Sequence, residues 1–270
     1  MFLLRLTLAA VVILAFQNNC FCQAGNGTDT AGLLYNKTAI SKEINWDTAA
    51  IKKQSAIRMF YIPAVMIAYG VVSLTSDGLE DWNQGIKEEI WTERPHKQLH
   101  IDNYLQWAPA VAVYGLNLAG IKGKNNFRDR TIIYGMSTLM MSATVFGVKK
   151  LTGEWRPDGS NKLSFPSGHT ATAFAAAEFL RKEYQDVSPW YGIAGYAVAA
   201  ATGYLRMYNN KHWLGDVVAG AGIGILSTDL AYRLYPVMKR TFFKKEKLSS
   251  TMVMPFYNGT AAGLSLVHHF

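Results

Sequence analysis

Three clusters of residues in this 270-residue chain have the types and spacing to do chemistry together: Lys149 with Arg156-Pro157, then Pro166-Ser167-Gly168-His169, then Arg206 followed by His212 and Asp216. They offer cations, a hydroxyl, backbone amides that glycine leaves accessible, and two imidazoles. Such a set can surround a tetrahedral dianion, neutralise its charge and move its protons, which is the chemistry of phosphoryl transfer without a metal.

Each cluster contributes something different. Lys149 and Arg156 follow an apolar segment, and a proline-stiffened loop would let both reach one anion, the arginine with a bidentate grip. Taken alone, that pair could simply favour a helix end. Pro166 ends an extended approach and a helix starts at once, so Ser167 and the amides of Gly168 and His169 stand at a positive helix end, a ready anion site. His169 is then beside the oxygen that must leave. His212 and Asp216 are four apart across the start of the last apolar segment, so the carboxylate can orient one ring nitrogen and leave the other free to attack phosphorus.

The chain has six histidines, and no set of them has cysteines or paired carboxylates at metal-ligand spacing, so neither metal nor cofactor is expected. His96 and His100 belong to a loop and read as surface residues that could touch a headgroup. His268 and His269 carry no pattern. The net charge of +8 could suggest nucleic acid, but the basic residues are scattered and no nucleic-acid motif accompanies them; anionic lipid or phosphate is the better partner class.

Six apolar segments must position these groups: 59–75, 104–121, 131–148, 170–180, 189–205 and 214–235. They are long and lack period-two alternation, so they read as helices. Several carry no charge, notably 59–75, 104–121 and 131–148, each just long enough to cross a bilayer, whereas the last contains Asp216, Asp229 and Arg233, which leaves a membrane bundle and a soluble bundle both open. If consecutive helices run antiparallel, loops 77–103, 149–169 and 206–213 emerge together. Lys122, Lys124, Arg128, Arg130, Lys239, Arg240, Lys244, Lys245 and Lys247 gather at the opposite end. The positive-inside tendency then turns the motif-bearing end outward.

Residues 1–22 have the charged start and apolar run of a secretory signal or an N-terminal anchor, with Cys20 and Cys22 at the candidate cut. Residues 23–58 read as a polar linker with an amphipathic lead-in over Trp46 to Arg58. A cleaved signal conflicts with six full crossings, because it leaves the mature N-terminus outside. Pro63 makes an interfacial or re-entrant first segment one way out. The basic tail over 237–270 alternates weakly, and a short strand with no partner in the chain is expected there.

Taken together, Lys149-x6-Arg156-Pro157, Pro166-Ser167-Gly168-His169 and Arg206-x5-His212-x3-Asp216 resemble the type 2 phosphatidic acid phosphatase (PAP2) superfamily, which includes bacterial acid phosphatases, lipid phosphatases and vanadium haloperoxidases. Its pattern has a serine before the arginine of the third motif; Leu205 stands there instead. The resemblance spans roughly 59–236 and implies an all-α, six-helix, membrane-embedded bundle. It implies His212 as nucleophile forming a phosphohistidine, Asp216 holding it, and His169 as proton donor and later base. Lys149, Arg156, Ser167, Gly168 and Arg206 would bind the phosphate. The implied activity is metal-independent removal of phosphate from a lipid of the lipid A phosphate, undecaprenyl diphosphate or phosphatidate class, in a bacterial inner membrane with the site facing the periplasm. A soluble or peripheral periplasmic acid phosphatase is the main alternative, ahead of a vanadate-dependent haloperoxidase or a non-catalytic anion-binding protein.

Overall fold

The computed structural model describes residues 59–242, 250–257 and 262–269. The expected leader over 1–22, the lead-in over 23–58 and the tail lysines Lys244, Lys245 and Lys247 lie outside the described residues.

All six apolar segments are helical, two of them with altered limits. The first is α1 (Met59–Val72), which turns by 91° into α2 (Asp77–Lys87) and its π-helical extension Glu88–Thr92. The second is not one helix: α3 (Asp102–Leu105) stops, and α4 (Ala108–Leu118) starts afresh. Pro109 explains the break, since proline brings no N–H for the preceding turn and its ring crowds the carbonyl four residues back. The others are α5 (Phe127–Thr152), α6 (Gly168–Tyr184), α7 (Pro189–Tyr208) and α8 (Leu214–Phe242). The last helix continues through Pro236, so Lys239 and Arg240 belong to it.

Helix α6 is the axis of the bundle. Ala171, Ala173, Ala175, Ala176 and Ala177 are fully buried, and Phe179 stacks on Tyr134 of α5 with ring centroids 4.6 Å apart. Glycines set how closely α8 approaches: a Cβ on Gly224 would lie 2.2 Å from the carbonyl oxygen of Ala171. Helix α1 lies antiparallel along α8, with Pro63 and Met66 against Gly222 and Gly70 against Ala219. Its first residues, Met59 and Phe60, meet Lys182 and Arg233 at the basic end.

Charge in this bundle points inward. Lys182 of α6 pairs with Asp229 of α8 at 2.7 Å, and Arg181 pairs with the buried Glu178, which also accepts from Tyr196 of α7. Outward, α5, uncharged between residues 131 and 148, presents Leu139 and Phe146, each more than 60% exposed. An apolar exterior around paired interior charges suits a bundle solvated by lipid. By length and composition α5 and α8 can each cross a membrane, and the bent α1–α2 pair would make a third crossing if it acts as one span. Of the charges that left a soluble bundle open in the sequence, Asp229 is paired across helices, Asp216 faces His212 and Arg233 lies over the Phe60 ring of α1.

The tail differs from expectation. Strands β1 (Ser250–Tyr257) and β2 (Ala262–His269) pair antiparallel over their whole length, from Ser250 opposite His269 to Tyr257 opposite Ala262. The expected lone strand has a partner within the chain. The sequence between the two contains Asn258-Gly259, a dipeptide that favours hairpin turns.

Gly224→Ala should lower the melting temperature of the detergent-solubilised protein, because overpacking a tight crossing costs about 1–3 kcal/mol. Gly147→Ala on α5, where a Cβ meets nothing within 4 Å, should leave it unchanged or raise it.

Candidate active site

The stretches 77–103, 149–169 and 206–213 do emerge at one end of the bundle. His96 joins the first to the third, stacking on Tyr208 at 3.6 Å and bonding the Tyr208 carbonyl at 2.8 Å. It is a half-buried staple, rather than the surface residue expected. Lys87 joins the first to the second by donating to the Pro157 carbonyl at 2.9 Å.

Lys149 sits in the last turn of α5, which Gly153 closes in the left-handed region at φ 58°. Its ammonium donates to the carbonyls of Leu163 at 2.5 Å and Ser164 at 3.1 Å, so it ties the returning strand of the loop to the helix. Arg156 is held at the backbone: its N–H donates to Asn161 and its carbonyl accepts from Gly159. Its side-chain Nε is buried without a partner among the described residues.

Ser167 is the N-cap of α6. Its hydroxyl meets Thr170 Oγ1 at 2.8 Å and accepts from the Thr170 N–H, so the oxygen is committed to the helix start. The amides of Gly168 and His169 remain as first-turn donors at the positive helix end. Ser167 is pinned further by its own N–H, which donates to the carbonyl of Asp216 at 3.0 Å.

Arg206 ends α7, buried, and its guanidinium pairs with Asp102 of α3, which is completely buried. Asn209 locks the same corner, exchanging hydrogen bonds with both the N–H and the carbonyl of Leu99. His212 is 3% exposed, and its Nδ1 faces Asp216 Oδ2 at 3.3 Å. That same oxygen accepts from the Trp213 N–H at 2.9 Å and from the Ser164 hydroxyl. Nε2 of His212 is therefore the nitrogen left for chemistry.

Their surroundings hold both imidazoles neutral. Burial, reinforced by Lys149, Arg206 and Arg156, holds His212 well below the ordinary imidazole range. His169 is pushed down to about 4, first by burial and then by Arg206, with Arg156 and Lys149 adding to it and Asp102 opposing. All five charged or titratable motif side chains other than Asp216 thus act on one small volume, which Ser167 and Gly168 border from the helix start.

Three contributors carry no motif. Asp102 holds Arg206, Asn103 Oδ1 contacts His169 Nε2 at 2.8 Å, and Ser164 supports Asp216. Asp102 and Asn103 were hidden because they immediately precede a segment read as an unbroken helix. Ser164 has no sequence signal beyond its nearness to Pro166.

A bound tetrahedral dianion would reverse the field that drives protons off His169, so its imidazole should gain a proton on binding. Between about pH 5 and pH 7, above the depressed free value, tungstate binding should take up protons and strengthen as pH falls. Calorimetry in buffers of different ionisation enthalpy measures this, and His169→Ala should reduce the uptake.

Residues 130–240 match the model of the PAP2 superfamily, which spans all three motifs. The lipid A 1-phosphatase of Porphyromonas gingivalis is 39% identical over 151 residues, covering 56% of this chain and 34% of that protein. The chain thus spans about a third of the length of the curated relative it matches. Among solved structures, Aquifex aeolicus LpxE is 20% identical with a TM-score of 0.44, over 56% of this chain and 95% of that one. The first transmembrane PAP2 type phosphatidylglycerolphosphate phosphatase from Bacillus subtilis is 23% identical with a TM-score of 0.45, over 67% of this chain and 99% of that one. Over residues 130–240, both imidazole-bearing motifs included, the chain is thus similar to the PAP2 superfamily.

Proposed function

We propose that this chain is a metal-independent phosphatase acting on a phosphorylated lipid. The observation that carries this reading is the convergence of His212, backed by Asp216, with His169 and three cations at one end of a bundle whose flanks are apolar. An anionic head can enter the cationic end while its acyl chains stay among exposed side chains such as Phe146 and Leu151. The name of the Porphyromonas gingivalis relative favours lipid A phosphate among the candidate classes, with undecaprenyl diphosphate and phosphatidate as competitors.

In this reading Nε2 of neutral His212 attacks phosphorus while the bond from phosphorus to the bridging oxygen breaks. His169, loaded with a proton when the dianion binds, passes it to the leaving oxygen. Asp216 accepts the hydrogen bond from Nδ1 and balances the positive charge that the phosphohistidine acquires. His169, now neutral, takes a proton from water as that oxygen bonds to phosphorus and the P–N bond breaks, releasing inorganic phosphate. Lys149, Arg156, Arg206 and the first-turn amides of Gly168 and His169 hold the equatorial oxygens throughout, with Ser167 fixing the helix start that presents those amides.

For orientation, the end of the bundle bearing Lys122, Lys124 and Arg128 faces the cytoplasm of a bacterial inner membrane and the site faces the periplasm. Entry into α1 is then on the basic, inner side.

Release of inorganic phosphate from lipid A, undecaprenyl diphosphate, phosphatidate and a soluble phosphomonoester, each with and without chelator, tests the proposal. Turnover of at least one lipid should survive chelation and exceed that of the soluble ester. His212→Ala should fall by at least about 10³-fold and Lys149→Ala by about 10²-fold. Full activity in His212→Ala would sink the mechanism, and a preference for the soluble ester would point to a broad-specificity acid phosphatase.

A further inference from the structure

A contact outside all three motifs bears on how His169 could handle its proton. Nε2 of His169 meets Oδ1 of Asn103 at 2.8 Å. An amide oxygen accepts and cannot donate, so the neutral ring keeps its hydrogen on Nε2 and exposes the lone pair of Nδ1. Asn103 is not free to wander. Its neighbour Asp102 is tied to Arg206, Asn209 clamps Leu99, and Gln98 donates to the Asn209 carbonyl at 3.2 Å. The single turn of α3 therefore carries, on adjacent residues, a carboxylate for an arginine of the third motif and an amide for the histidine of the second.

We propose that Asn103 is a positioning residue that fixes the His169 tautomer, so that Nδ1 is the nitrogen that exchanges a proton with the leaving oxygen and then with water. This inference rests on the reading of His169 as the proton donor. In the acid form both ring nitrogens carry hydrogen. Nδ1 gives its proton to the bridging oxygen as the P–O bond breaks, while Nε2–H stays on Asn103. In the second half Nδ1 recovers a proton from the attacking water. The ring never has to turn over between the two steps, because the Nε2 hydrogen stays on one acceptor.

The amide being neutral also matters. The groups facing His169 are Arg206 from α7, Asp102 from α3, Arg156 from the loop after α5, Lys149 from α5 and His212 from the loop before α8. Most are cationic, and Asp102 is engaged by Arg206. A carboxylate in place of Asn103 would stabilise the imidazolium and make it a weaker acid, whereas an amide orients the ring without doing so.

The test is the pH profile of kcat and kcat/KM for the full chain, with wild type, Asn103→Ala, Asn103→Asp and His169→Ala assayed on whichever lipid turns over fastest. Asn103→Ala should lose about 10- to 100-fold in kcat with little change in KM, as expected when a proton-transfer group is present but misaligned. Asn103→Asp should recover part of that loss and move the basic limb of kcat to higher pH by about one unit or more. Thermal melts identify any variant that fails to fold, and Asn103→Asp alone still reads the shift if Asn103→Ala is lost. If His169→Ala is inactive while both Asn103 variants keep the wild-type profile and rate, Asn103 is packing only and the inference is overturned. If His169→Ala keeps its activity, the underlying assignment of His169 fails instead.

Discussion

Asp216 is the point on which the rest of the site depends. One side-chain oxygen accepts from His212, from the Trp213 N–H and from the Ser164 hydroxyl, and the residue's own carbonyl accepts from the Ser167 N–H. A single residue at the start of α8 therefore fixes a loop imidazole and both ends of the Ser164–Ser167 turn. A carboxylate buried to 1% exposure is costly to desolvate unless it is paired and hydrogen-bonded. Here the cost is offset by three donors and by the cations gathered across the site. The dependence is mutual: without the carboxylate, Lys149 and Arg156 would repel each other in a poorly hydrated space. The site is a balance of buried charges that a phosphate dianion would complete.

That balance holds only if the helices carrying it cannot slide. Lipid tails give two apolar helix faces no hydrophobic reason to prefer each other, so packing and polar contacts must supply the specificity. Gly220 of α8 lies against the Ser167 backbone so closely that a Cβ would fall 2.5 Å from its carbonyl oxygen. Further along, the Ser137 hydroxyl of α5 meets Thr228 of α8 at 2.7 Å, and Thr228 donates to the Ala175 carbonyl of α6. At the far end Glu183 of α6 takes hydrogen bonds from Asn125 and from Tyr232. Helices α5, α6 and α8 are thus pinned at three heights, and Gly220 sets both the separation of α8 from α6 and the position of the anion-facing turn.

What could be read from the sequence was whatever depends on local spacing. The four-residue step from His212 to Asp216, the cap at Ser167 and the shared end of the three loops all follow from helix geometry. The serine expected before Arg206 is replaced by Leu205, and Arg206 finds its partner in Asp102 from another helix. That contact was not legible, because it requires knowing that Pro109 interrupts a segment that hydropathy alone reads as continuous. The membrane character was ambiguous for a related reason. A count of charges along α6 and α8 cannot tell a solvated face from Lys182 turned inward onto Asp229. The hairpin at the C-terminal end was lost to its short, weakly alternating strands.

The two imidazoles share one cationic environment, and their backing groups differ. His212 faces a carboxylate and His169 an amide. In the reading proposed above, that difference divides the labour. A nucleophile that becomes cationic on phosphorylation gains from a negative charge behind it, and Asp216 supplies one without taking the proton. A group that must give up a proton gains from staying acidic, which a neutral backing group permits. Both rings feel Lys149, Arg156 and Arg206, whereas their short-range partners differ in charge. On that reading, the assignment of attack to one histidine and proton transfer to the other rests on Asp216 and Asn103, residues that need not touch the phosphate at all.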